Sequence, residues 1–217
     1  MNDVPIKENG EKLEVLDGNE FILEPIYYKL GHNQDSEIKL RQTVLVKLRE
    51  AQNYLSSKYG YKLKIWDGFR TIETQKKLYE DFFETFKEQH ADLNDEEIRK
   101  EIEPYIAFPS LDPASPPPHN TGGVVDLTIV DQTGQELNMG TEFDDFSERA
   151  NTNYFITKGK DEASADIFHK NRMILKEVME HAGIIGYNDE WWHFNYGDQE
   201  WARNSGNDFA IYSSAEK

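Results

Sequence analysis

No cysteine occurs in the 217 residues, which excludes disulfides, thiolate metal ligands and a cysteine nucleophile. Any metal held by this chain must therefore take imidazole and carboxylate donors. Positive charge is also scarce: 24 Lys and Arg stand against 41 Asp and Glu, a formal net charge of −17. A nucleic-acid backbone would meet long-range repulsion, so no nucleic-acid partner is expected, and most of the acidity reads as a solvated surface. Long apolar runs are missing too. The opening Met1 to Val15 is polar and charged, unlike a signal segment, and nothing later approaches membrane-spanning length. No membrane partner is expected, and a cytoplasmic location is the default, with a secreted or periplasmic one open if a leader has been removed.

What is present suits a compact fold. Hydrophobic residues make up 37% and aromatic residues 12%, enough for a sizeable core but short of two developed domains. One domain over residues 1–217 is expected, with 1–20 a loosely packed N-terminal segment. From Ser36, a plausible N-cap, Ile38, Leu45, Leu48, Leu55 and Tyr59 recur at helical spacing up to Gly60. Tyr61, Leu63 and Ile65 then alternate with lysines as in a half-buried strand ending at Asp67-Gly68. Leu78, Phe82, Phe83 and Phe86 mark a helix from Ile72 to about His90, an aromatic stripe best explained as core. Asn94 with Glu97 has the capping-box pattern of a further helix, ended by Pro104.

Five prolines between Pro109 and Pro118 exclude a helix interior or a central strand there. Val124 to Val130 reads as a buried strand closed by a turn at Asp131-Gln-Thr-Gly134, Ala165 to Ala182 as a helix, and Ile184–Tyr187 and Trp191–Tyr196 as final strands. The fold class expected is α+β: a small, mainly antiparallel sheet with helices packed on it.

The chemistry concentrates in His119-Asn-Thr-Gly-Gly-Val-Val-Asp126 and, far downstream, Glu190-Trp-Trp-His193. Two imidazoles and a carboxylate can hold zinc and leave a fourth position for water, as a hydrolytic site needs. His119 and Asp126 are an odd number apart, so one unbroken strand would point them to opposite faces. Gly122-Gly123 must bend the chain between them. Glu190 and His193 likewise cannot share a strand face, which places Glu190 just before the strand and His193 within it. Taken singly, each of these residues is more often structural than catalytic. Together they gain weight, because Asp126 is a charge inside an apolar strand and needs a cation or donors to offset its desolvation.

These motifs, with Trp66-Asp-Gly-Phe-Arg70, Met139-Gly-Thr-Glu-Phe-Asp144 and Asn171-Arg172, give the chain a resemblance that spans most of its length. It resembles the D-alanyl-D-alanine dipeptidases of the VanX type, zinc enzymes related to the D-alanyl-D-alanine carboxypeptidases. The resemblance implies one Zn2+ per chain on His119, Asp126 and His193, Glu190 as general base, and Arg70 as the group that stabilises the transition state. It further implies that Asp144, with Tyr28, receives the free amino end of a small dipeptide, and that metal-activated water cleaves the peptide bond.

The chain departs from that pattern at Pro117-Pro118-His119, where the family usually reads Ser-x-His, and at Val124, where it has alanine. The alternatives are a related D,D-carboxypeptidase or peptidoglycan endopeptidase, or a non-catalytic zinc-binding module. Asp67 is expected to serve its turn, His32, His90, His169 and His181 to be non-catalytic, and Trp191 and Trp192 to form wall and core, one of them lining the pocket. Oligomeric state stays open.

Overall fold

The structure, a computed structural model, describes residues 4–216. The N-terminal part supplies β1 (Leu13–Val15), β2 (Ile22–Leu23) and the single turn α1 (Ile26–Lys29). β3 (Lys39–Arg41) leads directly into α2 (Gln42–Tyr59), which Gly60 ends in the left-handed conformation at φ 71°. The helix expected from Ser36 thus begins only at Gln42. Its expected first turn is instead an edge strand paired antiparallel with β1, Leu13 opposite Arg41 and Val15 opposite Lys39.

β4 (Lys62–Asp67) and α3 (Ile72–Gln89) follow, the helix capped by the Thr71 hydroxyl accepting from Thr74 N. α4 (Asp95–Ile102) opens with the Asn94 and Glu97 capping box read from the sequence. After the proline loop comes β5 (Val124–Val130), buried at every position. α5 (Ala165–His181) matches its expected span, whereas β6 (Ile185–Gly186) and β7 (His193–Asn195) are shorter than theirs. α6 (Gln199–Asn204), N-capped by Asp198, had no forecast.

The central sheet has the order β2-β4-β5-β7-β6, with β2 parallel to β4 and the other pairs antiparallel. This is the α+β architecture that the sequence implied. Its main core joins β4 and β5 to α2 and α5 through residues such as Leu48, Leu63, Ile129 and Leu175, all with 0% exposure. Each such side chain contributes about 1.5–3 kcal/mol by leaving water. A second cluster joins α3 and α4 through Leu78, Phe83, Ile98 and Ile102. Half-buried Ile26 and Phe143 pack against both. The α3 stripe is therefore only partly core: Phe83 is buried, but Phe82 and Phe86 are half-buried.

Of the segment 1–20 expected to pack loosely, the first three residues lie outside the described ones, and the rest is largely exposed but tied down at several points. Leu16 is buried, Ile6 bridges to Ala210, and the buried Arg41 guanidinium binds Glu8, the Glu11 carbonyl and the Ser213 carbonyl. A buried cation needs such acceptors, and they come from both ends of the chain.

Candidate active site

Three neighbouring strands carry the charged groups at one level. The register sets Asp67 on β4 opposite Asp126 on β5, and Asp126 opposite His193 on β7, with an irregularity between Ile65 and Asp67. His119 arrives from outside the sheet, on the 3-10 turn Pro118–Thr121, which ends at Gly122 with φ 71°. Gly123 next passes so close to the residue after β7 that a Cβ would lie 2.4 Å from the Tyr196 carbonyl oxygen. The two glycines thus make the bend that the odd spacing required.

His119 Nδ1 donates to the Gly68 carbonyl at 2.8 Å, which assigns its proton and leaves Nε2 as the free donor atom. That atom lies 3.2 Å from Asp126 Oδ2, and His193 Nδ1 lies 3.2 Å from Asp126 Oδ1. One ligand atom from each residue can be chosen so that all lie within 4.8 Å of one another. Ligand atoms held tetrahedrally at zinc distances are roughly 3.3–3.6 Å apart. Asp126 Oδ1 is buried without a hydrogen-bond donor, a costly arrangement for an ionised oxygen unless a cation meets it. The donor set, its spacing and this orphaned oxygen all fit a metal ion.

Glu190 stands just before β7, with Oε2 3.4 Å from His193 Nδ1. Burial pushes its carboxyl up to about 8; His193 opposes this, and the Asp126 and Asp144 carboxylates add to it. Burial would lower His193, but the Asp126 carboxylate 3.2 Å away and the charge of Glu190 raise it to about 9. Burial also acts to raise Asp126, yet the two histidines hold it well below the usual range. A cation between these groups favours the neutral imidazole and the ionised Glu190 instead.

Arg70 follows β4 and is buried. Its Nε and Nη2 donate to Asp67 Oδ2 at 3.1 and 2.9 Å, and Nη1 donates to Gln75 Oε1 at 2.9 Å. The guanidinium lies 4.6 Å from the Tyr27 ring centroid, and Nη2 lies 3.8 Å from Asp126 Oδ2. The reading of Asp67 as a turn residue is corrected: its carboxylate is buried, holds Arg70, and lies 3.4 Å from His119 Nδ1. Asp67 and Gln75 were missed because nothing local separates a carboxylate that braces an arginine from one that closes a turn.

Asp144 adopts φ 59°, a left-handed conformation unusual outside glycine. The Tyr27 hydroxyl donates to its two oxygens at 3.2 and 3.0 Å. Burial pushes the Asp144 carboxyl up to about 7, with Asp126 adding to the rise. The structure does not bring Tyr28 to Asp144; its neighbour Tyr27 makes that contact. Consecutive helical residues diverge by about 100°, so Tyr27 turns inward while Tyr28 stays 48% exposed and outside the cavity lining.

Metal cluster, Glu190, Arg70, Asp144 and Tyr27 all face one cavity of about 680 Å³. Trp192 lines it; Trp191 is buried and donates through Nε1 to Thr141 Oγ1 at 2.8 Å. His32 and His90 line the cavity but are not part of the candidate ligand group, while His169 and His181 do not line it. Pro118 forms part of the wall beside His119.

Residues 26–210 match the protein family described as D-ala-D-ala dipeptidase. A D-alanyl-D-alanine dipeptidase of Synechocystis is 29% identical over 215 residues, covering 92% of this chain and 87% of that protein. One from Enterococcus faecalis is 31% identical over 159 residues, 73% of either chain. Among solved structures, a mutant of the vancomycin resistance D,D-pentapeptidase VanY in complex with Zn(II) superposes with TM-score 0.51 at 14% identity, covering 95% of this chain and 90% of that one. That last likeness is one of fold.

Proposed function

The chain belongs to the D-ala-D-ala dipeptidase family, and from that premise we propose that it hydrolyses D-alanyl-D-alanine or a similar D,D-dipeptide with one zinc ion per chain. The observation that carries the reading is the buried His119, Asp126 and His193 cluster, its Asp126 oxygen lacking a donor, with Glu190 beside it. His119 Nε2, Asp126 and His193 Nδ1 would hold the ion, whose Lewis acidity lowers the pKa of water and polarises a carbonyl.

The remaining work falls to the chain's own groups. Glu190 takes the proton of the attacking water and delivers it to the nitrogen of the leaving D-alanine, so that a C–O bond forms as the C–N bond breaks. Arg70, fixed by Asp67 and Gln75, offers its guanidinium to the oxyanion that develops on the carbonyl. Asp144, oriented by Tyr27, receives the substrate's ammonium group. A zinc module kept only for structure needs neither Glu190 nor Arg70 facing the cavity.

The test is release of D-alanine from D-alanyl-D-alanine by the folded protein, before and after zinc removal, beside L,L-, mixed-chirality and longer peptides. Zinc-dependent release from the D,D-dipeptide is expected. Release only from longer stem peptides would shift the reading to a carboxypeptidase or endopeptidase, and no hydrolysis of any peptide would end the enzyme reading.

A further inference from the structure

The cavity is far larger than an alanyl dipeptide needs. Its roughly 680 Å³ falls in the range that takes drug-sized ligands, about 300–1,000 Å³, while the side chains of D-alanyl-D-alanine are single methyl groups. Along α3 the cavity is lined by Leu78, Phe82, Phe86, Tyr105, Ile106 and Phe146, with polar groups such as Asp81 and His90 among them.

These rings are arranged against one another. Phe82 and Phe146 lie 4.4 Å apart between centroids, Phe82 and Phe86 6.4 Å, and Tyr105 and Phe146 6.5 Å. Phe82, Phe86, Tyr105 and Phe146 are each only half-buried, so apolar ring surface faces the cavity. Water against such a surface is readily displaced by an apolar group.

The position of this wall selects one part of a substrate. Phe146 lies two residues beyond Asp144 on the same segment, and Tyr27 joins that segment to the metal side through the Asp144 carboxylate. In a substrate whose ammonium sits on Asp144, the amino-terminal residue carries its side chain on the same carbon as that ammonium, within the cavity that Asp144 and these rings both line. Resting on the reaction proposed above, we infer that this cavity is a subsite for a bulky apolar side chain, and that the preferred substrate is a D,D-dipeptide with a large apolar or aromatic amino-terminal residue.

The experiment compares kcat/KM of the zinc-loaded protein on D-Ala-D-Ala, D-Phe-D-Ala and D-Ala-D-Phe. A preference of about 10-fold or more for D-Phe-D-Ala over D-Ala-D-Ala is expected, the scale of one well-filled apolar pocket. Phe146→Ala should reduce that ratio. Thr85→Trp should reduce it too, by filling the cavity from an exposed α3 position that lines it, and this variant does not depend on removing a packed ring. Equal or better hydrolysis of D-Ala-D-Ala, or a preference for D-Ala-D-Phe, overturns the subsite while the proposed reaction stands. If no dipeptide is hydrolysed, that reaction falls, and the subsite is judged by calorimetric binding alone. Tighter binding of D-Phe-D-Ala than of D-Ala-D-Ala supports it, and equal or weaker binding overturns it.

Discussion

The two ends of the cavity are built on different principles. At the sheet end, Asp67, Asp126 and His193 sit level on three hydrogen-bonded strands, and a slip of one residue would turn each side chain to the other face. At the helical end, half-buried rings on α3 and around Phe146 face the same space without a backbone ladder between them. A strand register can place donor atoms to a fraction of an ångström, as metal chemistry requires. Packed rings define a volume and tolerate variation in what fills it. On the reading proposed above, reaction type and substrate size would be set by separate parts of the fold.

That division is open to challenge by mutation, most severely at the sheet end. Glu190→Ala should lower kcat by about 10²–10⁴-fold while metal content, read by elemental analysis, stays near stoichiometric; His193→Ala should lose both metal and activity. Substantial activity in Glu190→Ala would remove the base from the sheet end altogether. Next in size, Asp67→Asn should cost about 10–100-fold in activity or metal affinity, because it weakens the support of Arg70 while leaving the three ligands in place. Unchanged kinetics and metal affinity would return Asp67 to a turn role.

At the helical end, Ile98→Ala should destabilise the protein by about 2–5 kcal/mol, read by denaturant unfolding, since Ile98 is fully buried between α3 and α4. Its folded form should keep its metal; loss of metal would show that the two ends are not separable. The smallest effect concerns the N-terminal clasp behind the sheet. Burial acts to raise Glu11, but hydrogen bonds from Thr43 and Tyr212 outweigh it and hold the carboxyl below its ordinary value near 4.5. Glu8, bonded by Ser213, Gly10 and Arg41, is lowered too. The stability these groups give is therefore complete above about pH 4.5 and is lost as pH falls through their folded-state values. Glu11→Gln should flatten the acid side of the stability curve and cost about 1 kcal/mol or less at neutral pH, the site being partly open to solvent. An unaltered acid limb would exclude the clasp as a source of acid sensitivity.

The readable parts of the fold were those with local causes. The α4 cap at Asn94, the α2 stop at Gly60 and the largely apolar β5 each follow from residues within a few positions. The start of α2 did not, because Lys39–Arg41 pairs with Leu13–Val15, a partner the helical pattern cannot announce. Of the site, the motif spacing indicated His119, Asp126, Glu190 and His193 as a group, and the structure brings them together. Which of the adjacent Tyr27 and Tyr28 meets Asp144 was not legible, because only the turn of the helix sends Tyr27 inward and leaves Tyr28 exposed.

By itself, the sequence determined the donor chemistry available to this protein: without cysteine, a buried aspartate in an apolar strand and two histidines leave a nitrogen and oxygen metal site as the consistent outcome. Only the tertiary structure decided which neighbours brace that site and how much space lies in front of it. Tyr27 on Asp144 and Phe82 of α3 on Phe146 meet across long stretches of chain. Such contacts arise from packing whole elements against one another, and a residue's local pattern carries no record of the element it will face.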